Sequence, residues 1–439
     1  MKLLLNHSNN AVLRANMSVN SSHLIVVCSN FPYGYGEPFL EVELEYLVQR
    51  FDKVTICQTE KSQTQKVFEI PDGIELVSFE VKVSWLQKLF AMWRLLFDAE
   101  MRDEISVINS QYHSLLTMGK IKTMVSSKLR AQKIKEAVES LIKSESKDDT
   151  YVYSYWTDDS ALALAYLKKE RSDLTVFSRL HGWDLYFERS SYHYLPFRKT
   201  IFNGLDAVFT ISENGKNYLL SHFDTIISKG RVLQSRLGIR TVNQVEKYSR
   251  TFRRFKVVSC SNIIPIKRVG LIVEALSHIQ ELEIDWVHFG SGAEDAEIKS
   301  LAAKLLGPKQ NVEFHFPGRV PNWEVLNYYS EHMVDLFISL SKYDGIPVSI
   351  MEAMSFGIPA IATDVGGVSE IVINGKTGFL LDQEIEPEHV AEVIENVASM
   401  EASTYDAMRK EARNIWGTFY SADINYPDFC DKILSLKQA

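Results

Sequence analysis

Asp344 and Glu352 are two carboxylates with seven residues between them, in a stretch that holds both near a ready-made anion site. Pro347 suits the first position of a helix, because its missing N–H would go unpaired there anyway. The N–H groups at such a helix start favour an anion, and phosphate is the usual one. Two acids this close are odd as phosphate ligands. They make chemical sense as acceptors for sugar or ribose hydroxyls. The plainer alternative is a strand–helix–strand unit with one capping acid and one solvated acid.

The elements around the pair must position it. Residues 336–340 form an apolar run of buried-strand type, and Asp344-Gly345 then breaks the chain. The helix runs through Ile350, Met351 and Met354 and stops at Gly357, a favoured residue just past a helix end. A second buried strand, 359–363, leads to Gly366-Gly367 and another short helix. This is a doubly wound α/β unit, in which ligands bind at the carboxyl ends of the strands. The same alternation fills much of the chain. A strand at 23–28 leads into a loop holding Gly34 and Gly36, ahead of a helix with apolar Phe39, Val42, Leu44 and Leu47. A tight turn or a cradle for pyrophosphate both fit that loop. Strands at 54–57, 151–156, 174–177 and 206–210 follow, and the third of these delivers His181 and Asp184 to the cleft side. Further strands at 256–261, 287–290 and 312–317 lead to Asn262, Lys267 and Arg268, to Gly290 and Gly292, and to Gly318 and Arg319. The tail from about 387 is helical by pattern.

An acid, seven residues, then Glu-Ala-Met, followed by Gly-x-Pro and Gly-Gly-x-x-Glu-Ile-Val, resembles glycosyltransferase family 4 without gaps over residues 341–381. The resemblance implies the GT-B fold, two Rossmann-like domains facing across a cleft, and a retaining transfer from a nucleotide-sugar donor, with a UDP-sugar favoured. It implies that Glu352 takes the ribose hydroxyls, while Asp344 and the backbone of Gly345, Ile346, Pro347 and Val348 hold sugar and phosphates. Lys267 would neutralise the departing diphosphate, and His181 would approach the donor sugar. Gly34 and Gly36 would face the donor phosphates. Gly290 matches a Gly-x-Gly turn, and Gly318 and Arg319 stand where the base is held. The family's usual Arg is replaced by Asn262, leaving Arg268 as a candidate to compensate. Asp344 stands for the commoner Glu and Pro347 for a commoner Gly, which points to an altered sugar pocket. No cofactor or metal is expected, and the nucleotide sugar is a substrate.

The chain has 439 residues and a net charge of −8, which argues against a general nucleic-acid binder. Cys28, Cys57, Cys260 and Cys430 lie far apart without metal-ligand spacing and suit free thiols in a reducing cytoplasm. The domain reading is a loosely ordered leader over 1–21, an acceptor-side domain over 22–240 with a helical insertion at 81–140, and a linker over 241–254. The nucleotide-sugar domain then covers 255–403, and helices over 404–439 cross back to the first domain, with Ile433 and Leu436 making that contact. Trp85, Leu86, Leu89, Phe90, Trp93, Leu96 and Phe97 fall on one helical face. Lys120, Lys122, Lys128, Arg130, Lys133 and Lys135 follow with no acid among them. Together they fit a peripheral contact with an anionic membrane at its inner face, or else a helical lid with a solvated basic face. Acceptors consistent with the resemblance are a glycan or a lipid-linked glycan. The rival functions are a GT-B epimerase or hydrolase acting on the nucleotide sugar, and a degenerate sugar-nucleotide-binding partner subunit.

Overall fold

Seven strands form the first sheet: β1 (Ser22–Cys28), β2 (Lys53–Gln58), β3 (Ile74–Ser78), β4 (Asp149–Ser154), β5 (Thr175–Leu180), β6 (Ala207–Thr210) and β7 (Val232–Gln234). These come from a computed structural model that describes residues 21–34, 36–60, 66–94, 98–110, 115–143, 149–240 and 254–437. Nearly all of the expected leader and linker, and Leu96 and Phe97, lie outside the described residues. The order is β3-β2-β1-β4-β5-β6-β7, parallel throughout. The second sheet holds β8 (Phe255–Cys260), β9 (Ile284–Phe289), β10 (Val312–Gly318), β11 (Leu336–Ser339), β12 (Ala360–Thr363) and β13 (Gly378–Leu381), in the order β10-β9-β8-β11-β12-β13. Parallel strands covered by helices on both faces are continuous apolar runs. Six of the seven residues of β1 and all of β5 are buried accordingly. Each sheet reverses direction once, between β1 and β4 and between β8 and β11. Those are the topological switch points where α/β sheets bind ligands.

The chain crosses between the halves twice, side by side. Ile239 N–H donates to Tyr420 O at 2.8 Å, and Ala422 N–H returns to Ile239 O at 3.2 Å. The helix Ala402–Phe419 packs on the second half, through Ala412 and Trp416. The helix Ala422–Ser435 packs on the first, where Tyr426, Phe429, Cys430 and Ile433 join the core beneath β1, with Leu436 against it. Phe429 lies edge-on to Phe209 at 5.0 Å and to Tyr153 at 5.6 Å, and the Arg179 guanidinium sits 3.9 Å from its ring centre. Arg179 is itself ion-paired with Glu43, and both are fully buried.

The insertion between β3 and β4 is helical: Trp85–Arg94, Ala99–Ser110 and Met118–Lys143. Its basic stretch is not the solvated face the sequence suggested. Lys120 donates to Leu115 O at 3.0 Å, and Lys128 pairs with Asp98 at 2.7 Å and Glu100 at 2.8 Å. Arg130 pairs with Asp159 at 2.9 Å, Lys133 reaches Lys82 O, and Lys135 pairs with Glu170 at 2.6 Å. Acids from other elements pair with Lys128, Arg130 and Lys135, backbone carbonyls take Lys120 and Lys133, and Lys122 stays exposed. The apolar helix differs. Ala91 and Met92 pack against the core, but Trp85 is 68% and Trp93 70% exposed, with Leu86, Leu89 and Phe90 exposed beside them. Among the described residues no helix is long and apolar enough to cross a membrane.

Candidate active site

The second half supplies most of the chemistry, from four loops at the carboxyl ends of its strands. The loop after β8 carries Lys267 and the loop after β11 carries Asp344, one on each side of the switch point. Lys267 Nζ donates to both Asp344 oxygens, at 2.6 and 2.9 Å. The loop after β12 lies directly on this arrangement. Gly366 has φ +56°, and a Cβ there would fall 1.8 Å from Asp344 O, so no side chain fits. Gly367 N–H then donates to Gly345 O at 2.6 Å. The helix following Asp344 is Val348–Ser355, with Pro347 just ahead of it and Gly357, φ +67°, just past its end. Ile346 is 4% exposed and belongs to the core, so only its backbone is offered to a ligand.

Glu352 lies on that helix, 6% exposed. Its Oε1 accepts from Asn322 Nδ2 at 2.6 Å, and burial lifts its carboxyl to about 7. Asn322 begins the helix Asn322–Glu331 and was not singled out by the sequence. Gly290 N–H donates to Gly318 O at 2.9 Å, tying the ends of β9 and β10 together. Arg319 then reaches back to Asn262, Nη2 to Oδ1 at 3.0 Å. Arg268 turns away. Its Nε donates to Leu340 O at 2.5 Å and its Nη1 to Gln383 O at 2.7 Å, so it braces the fold. The guanidinium beside Asn262 is that of Arg319.

From the first half, β5 delivers His181, and the two halves meet there. A Cβ on Gly345 would fall 2.7 Å from His181 O, so glycine is what permits the approach. The His181 ring is 8% exposed, stacks on Tyr155 at 4.7 Å and meets Trp156 edge-on at 4.6 Å. Both its ring nitrogens are buried, without a hydrogen-bond partner among the described residues. Burial and the nearby Arg179 guanidinium hold the imidazole well below the usual histidine range, so it is neutral. Asp184, its companion in sequence, points inward. It accepts from the N–H groups of His181 at 2.8 Å, Gly182 at 2.9 Å and Thr157 at 3.0 Å, and so shapes the loop.

The loop after β1 is organised by Glu37, which the sequence reading passed over. Its Oε1 accepts from Ser29 N–H at 2.7 Å and Trp156 Nε1 at 2.9 Å. Its Oε2 accepts from Asn30 N–H at 3.0 Å and Phe31 N–H at 2.9 Å. Gly34 and Gly36 arch over Asn30, and a Cβ on Gly34 would collide with that amide at 2.4 Å. His181, Gly345, Asp344 and Lys267 are thus adjacent, with Glu352 deeper in the second half and the glycine loop on the first.

This arrangement has relatives. Residues 244–415 match the family model for glycosyl transferases group 1. N-acetyl-alpha-D-glucosaminyl L-malate synthase of Bacillus anthracis is 30% identical over 135 residues, 29% of this chain and 32% of that protein. The putative colanic acid biosynthesis glycosyltransferase WcaL of Salmonella typhimurium is 24% identical over 216 residues, 48% of this chain and 51% of that one. The chain therefore spans between about a third and about half the length of these two curated relatives. Among solved structures, HepE of Anabaena in complex with UDP and glucose superposes with a TM-score of 0.61 at 14% identity, covering 94% of this chain and 99% of that one. The chain has the two-domain GT-B fold, and the match to glycosyl transferases group 1 falls on its second half.

Proposed function

We infer that this protein is a retaining glycosyltransferase of family 4, moving a sugar from a UDP-sugar to a hydroxyl of a glycan or lipid-linked glycan. The observation that carries the reading is the Lys267–Asp344 pair at the switch point of the second sheet, with Gly345, next to Asp344, packed against the backbone carbonyl of His181 in the first half. Glu352 takes the ribose hydroxyls, with Asn322 occupying one oxygen and leaving the other to the ligand. Lys267 and Arg319 meet the diphosphate, and Lys267 offsets the charge that develops on it as the glycosidic bond breaks. Each Asp344 oxygen keeps a lone pair beyond its bond to Lys267, so Asp344 both orients the ammonium and accepts from the sugar. A neutral imidazole beside the donor accepts or donates a hydrogen bond without adding a charge.

Retention follows the likeness of Asp344 and Glu352 to family 4: the acceptor attacks from the face the phosphate leaves, and no enzymic nucleophile is invoked. The site needs no metal in this reading, since Lys267 and Arg319 supply the positive charge. The UDP choice rests on the UDP complexes of HepE. The exposed face of the helix Trp85–Arg94 supports a lipid-linked acceptor met at the inner face of a membrane, because tryptophans on an amphipathic helix favour the headgroup boundary. The test is UDP release from a panel of UDP-sugars with and without glycan acceptors, with the anomeric configuration of any product read by NMR. Release that ignores acceptor makes the protein a hydrolase, and an inverted anomer overturns retention.

A further inference from the structure

Glu37 sits outside everything the donor is expected to touch, yet it has the most completely satisfied carboxylate near the site. It is 1% exposed and accepts from four N–H donors on two elements. Three belong to the turn Ser29–Phe31 that begins the glycine loop. The fourth is Trp156 Nε1, just past β4. This bond crosses the switch point of the first sheet, as Lys267–Asp344 crosses that of the second. Trp156 is in turn the edge-on neighbour of the His181 ring at 4.6 Å. Among the described residues no hydrogen bond fixes that ring, because both its nitrogens lack a partner there. Its orientation is therefore set by its two aromatic walls, Tyr155 and Trp156. Tyr155 is fully buried and held by packing. Trp156 is half-buried and is held at its polar end by Glu37.

We propose that Glu37 is a positioning residue for His181, acting through Trp156, and that it makes the glycine loop and the His181 ring move as one unit. A ligand that orders the loop would thereby also fix the plane of the His181 ring. The inference rests on the reading of His181 as a group beside the donor, but it can be tested apart from that reading.

Glu37→Gln is the informative change. The amide keeps one acceptor oxygen and presents NH2 where the other stood, so either the Ser29 and Trp156 bonds or the Asn30 and Phe31 bonds are lost. Trp156→Phe is the milder companion, since it leaves the three loop bonds in place and removes only the Nε1 anchor. The first readout is independent of activity: the ring 15N signals of His181 in the ligand-free protein. One sharp set of ring signals is expected in the parent, with exchange broadening or doubled signals in both variants. Unchanged His181 signals in folded Glu37→Gln and Trp156→Phe overturn the proposal, whether or not the protein turns over a nucleotide sugar. The second readout is a double-mutant cycle on turnover. Trp156→Phe alone should lower kcat by about tenfold to a hundredfold at nearly constant donor KM, the scale of a displaced reacting group. In a His181→Ala background it should do almost nothing more, because its effect passes through His181. Full additivity of the two changes refutes the linkage, and a loss of melting temperature with kcat intact assigns Glu37 to stability alone.

Discussion

Glu352→Gln probes the carbohydrate end of the site through pH. Burial lifts the Glu352 carboxyl from an ordinary 4.5 to about 7, so at neutral pH the free protein is a mixture of acid and carboxylate. Ribose hydroxyls donate to the carboxylate, and binding selects that form. The apparent dissociation constant then exceeds its limiting value by about elevenfold at pH 6, about twofold at pH 7 and hardly at all at pH 8. Affinity for UDP should therefore rise about tenfold from pH 6 to pH 8 in the parent, beyond the rise shown by the Gln variant, which has no proton to lose. The shared titration of UDP cancels in that comparison. Stability carries the opposite sense. The folded-state value lies above the unfolded one, so this group's stabilisation is complete below about pH 4.5 and is lost as the pH climbs through about 7. At 1.36 kcal/mol per unit, the Gln variant should gain on the order of 2 kcal/mol relative to the parent between pH 5 and pH 8. Calorimetry with UDP and thermal melts across that range read both effects. A parent-to-variant affinity ratio that stays flat from pH 6 to pH 8 refutes the assignment of Glu352 to the ribose, even if the stability effect is present.

Asp344→Asn removes the partner of Lys267 but leaves the ammonium, so it should bind bare UDP as well as the parent or better while losing turnover of the intact donor. Titration with UDP and with UDP-sugar separates the two, and a variant that loses UDP binding as severely as Glu352→Gln sinks the division of labour. His181→Ala should lower kcat far more than it raises the donor KM, and steady-state kinetics with equal turnover in variant and parent reduce His181 to packing. The double change Trp85→Ser, Trp93→Ser should abolish flotation with liposomes. Because Lys128 and Lys135 of Met118–Lys143 are paired with acids of the protein, flotation of the parent should depend only weakly on salt, and binding that vanishes at high salt would contradict that reading.

The acid pair was legible because everything that places it is local. Asp344, Pro347, Glu352, Gly357 and Gly366 fall within one strand–helix–strand unit, and each residue type answers a local need for a helix start, stop or close approach. What was hidden depends on partners far apart in sequence. Glu37 and Trp156 are 119 positions apart, and Asn322 and Glu352 are 30 apart. By its neighbours along the sequence alone, neither Glu37 nor Asn322 differs from an ordinary surface polar residue. The basic stretch misled for the same reason. Lys128 and Arg130 have no acid near them along the chain, and Lys135 has only Glu136 and Glu139 after it, yet Asp98, Glu100, Asp159 and Glu170 reach these cations from other elements. Arg268 and Arg319 show the limit of reading charge from position. The basic residue next to Lys267 braces carbonyls, whereas the one on a different strand reaches Asn262. The edge strand Ile74–Ser78 escaped notice because its side chains are only partly covered, which breaks the apolar run that marked the other strands.

The Gly-Gly-x-x-Glu motif joins the two halves by the same backbone logic that shapes the donor loop. Its glycines lay the chain after β12 on Asp344 and Gly345. Three residues on, Glu370 leaves its own domain. It accepts from the N–H groups of Glu213 at 3.1 Å and Asn214 at 2.8 Å, at the start of the helix Glu213–Phe223 in the first half. Arg236, on the chain leaving that half, pairs with the same carboxylate at 3.1 Å. An acid at a helix N-terminus is favoured by the exposed N–H groups and the helix dipole, and here the acid and the helix belong to different domains. Closing the halves thus brings Glu370 to its helix and Gly345 to His181 together. Because Gly367, three residues before Glu370, is hydrogen-bonded to Gly345 O, the approach of Gly345 to the His181 backbone is tied to the seat of Glu370 on its helix. A site assembled in this way is complete only when the halves are together, and the residue that holds them is encoded in the motif that builds the donor side.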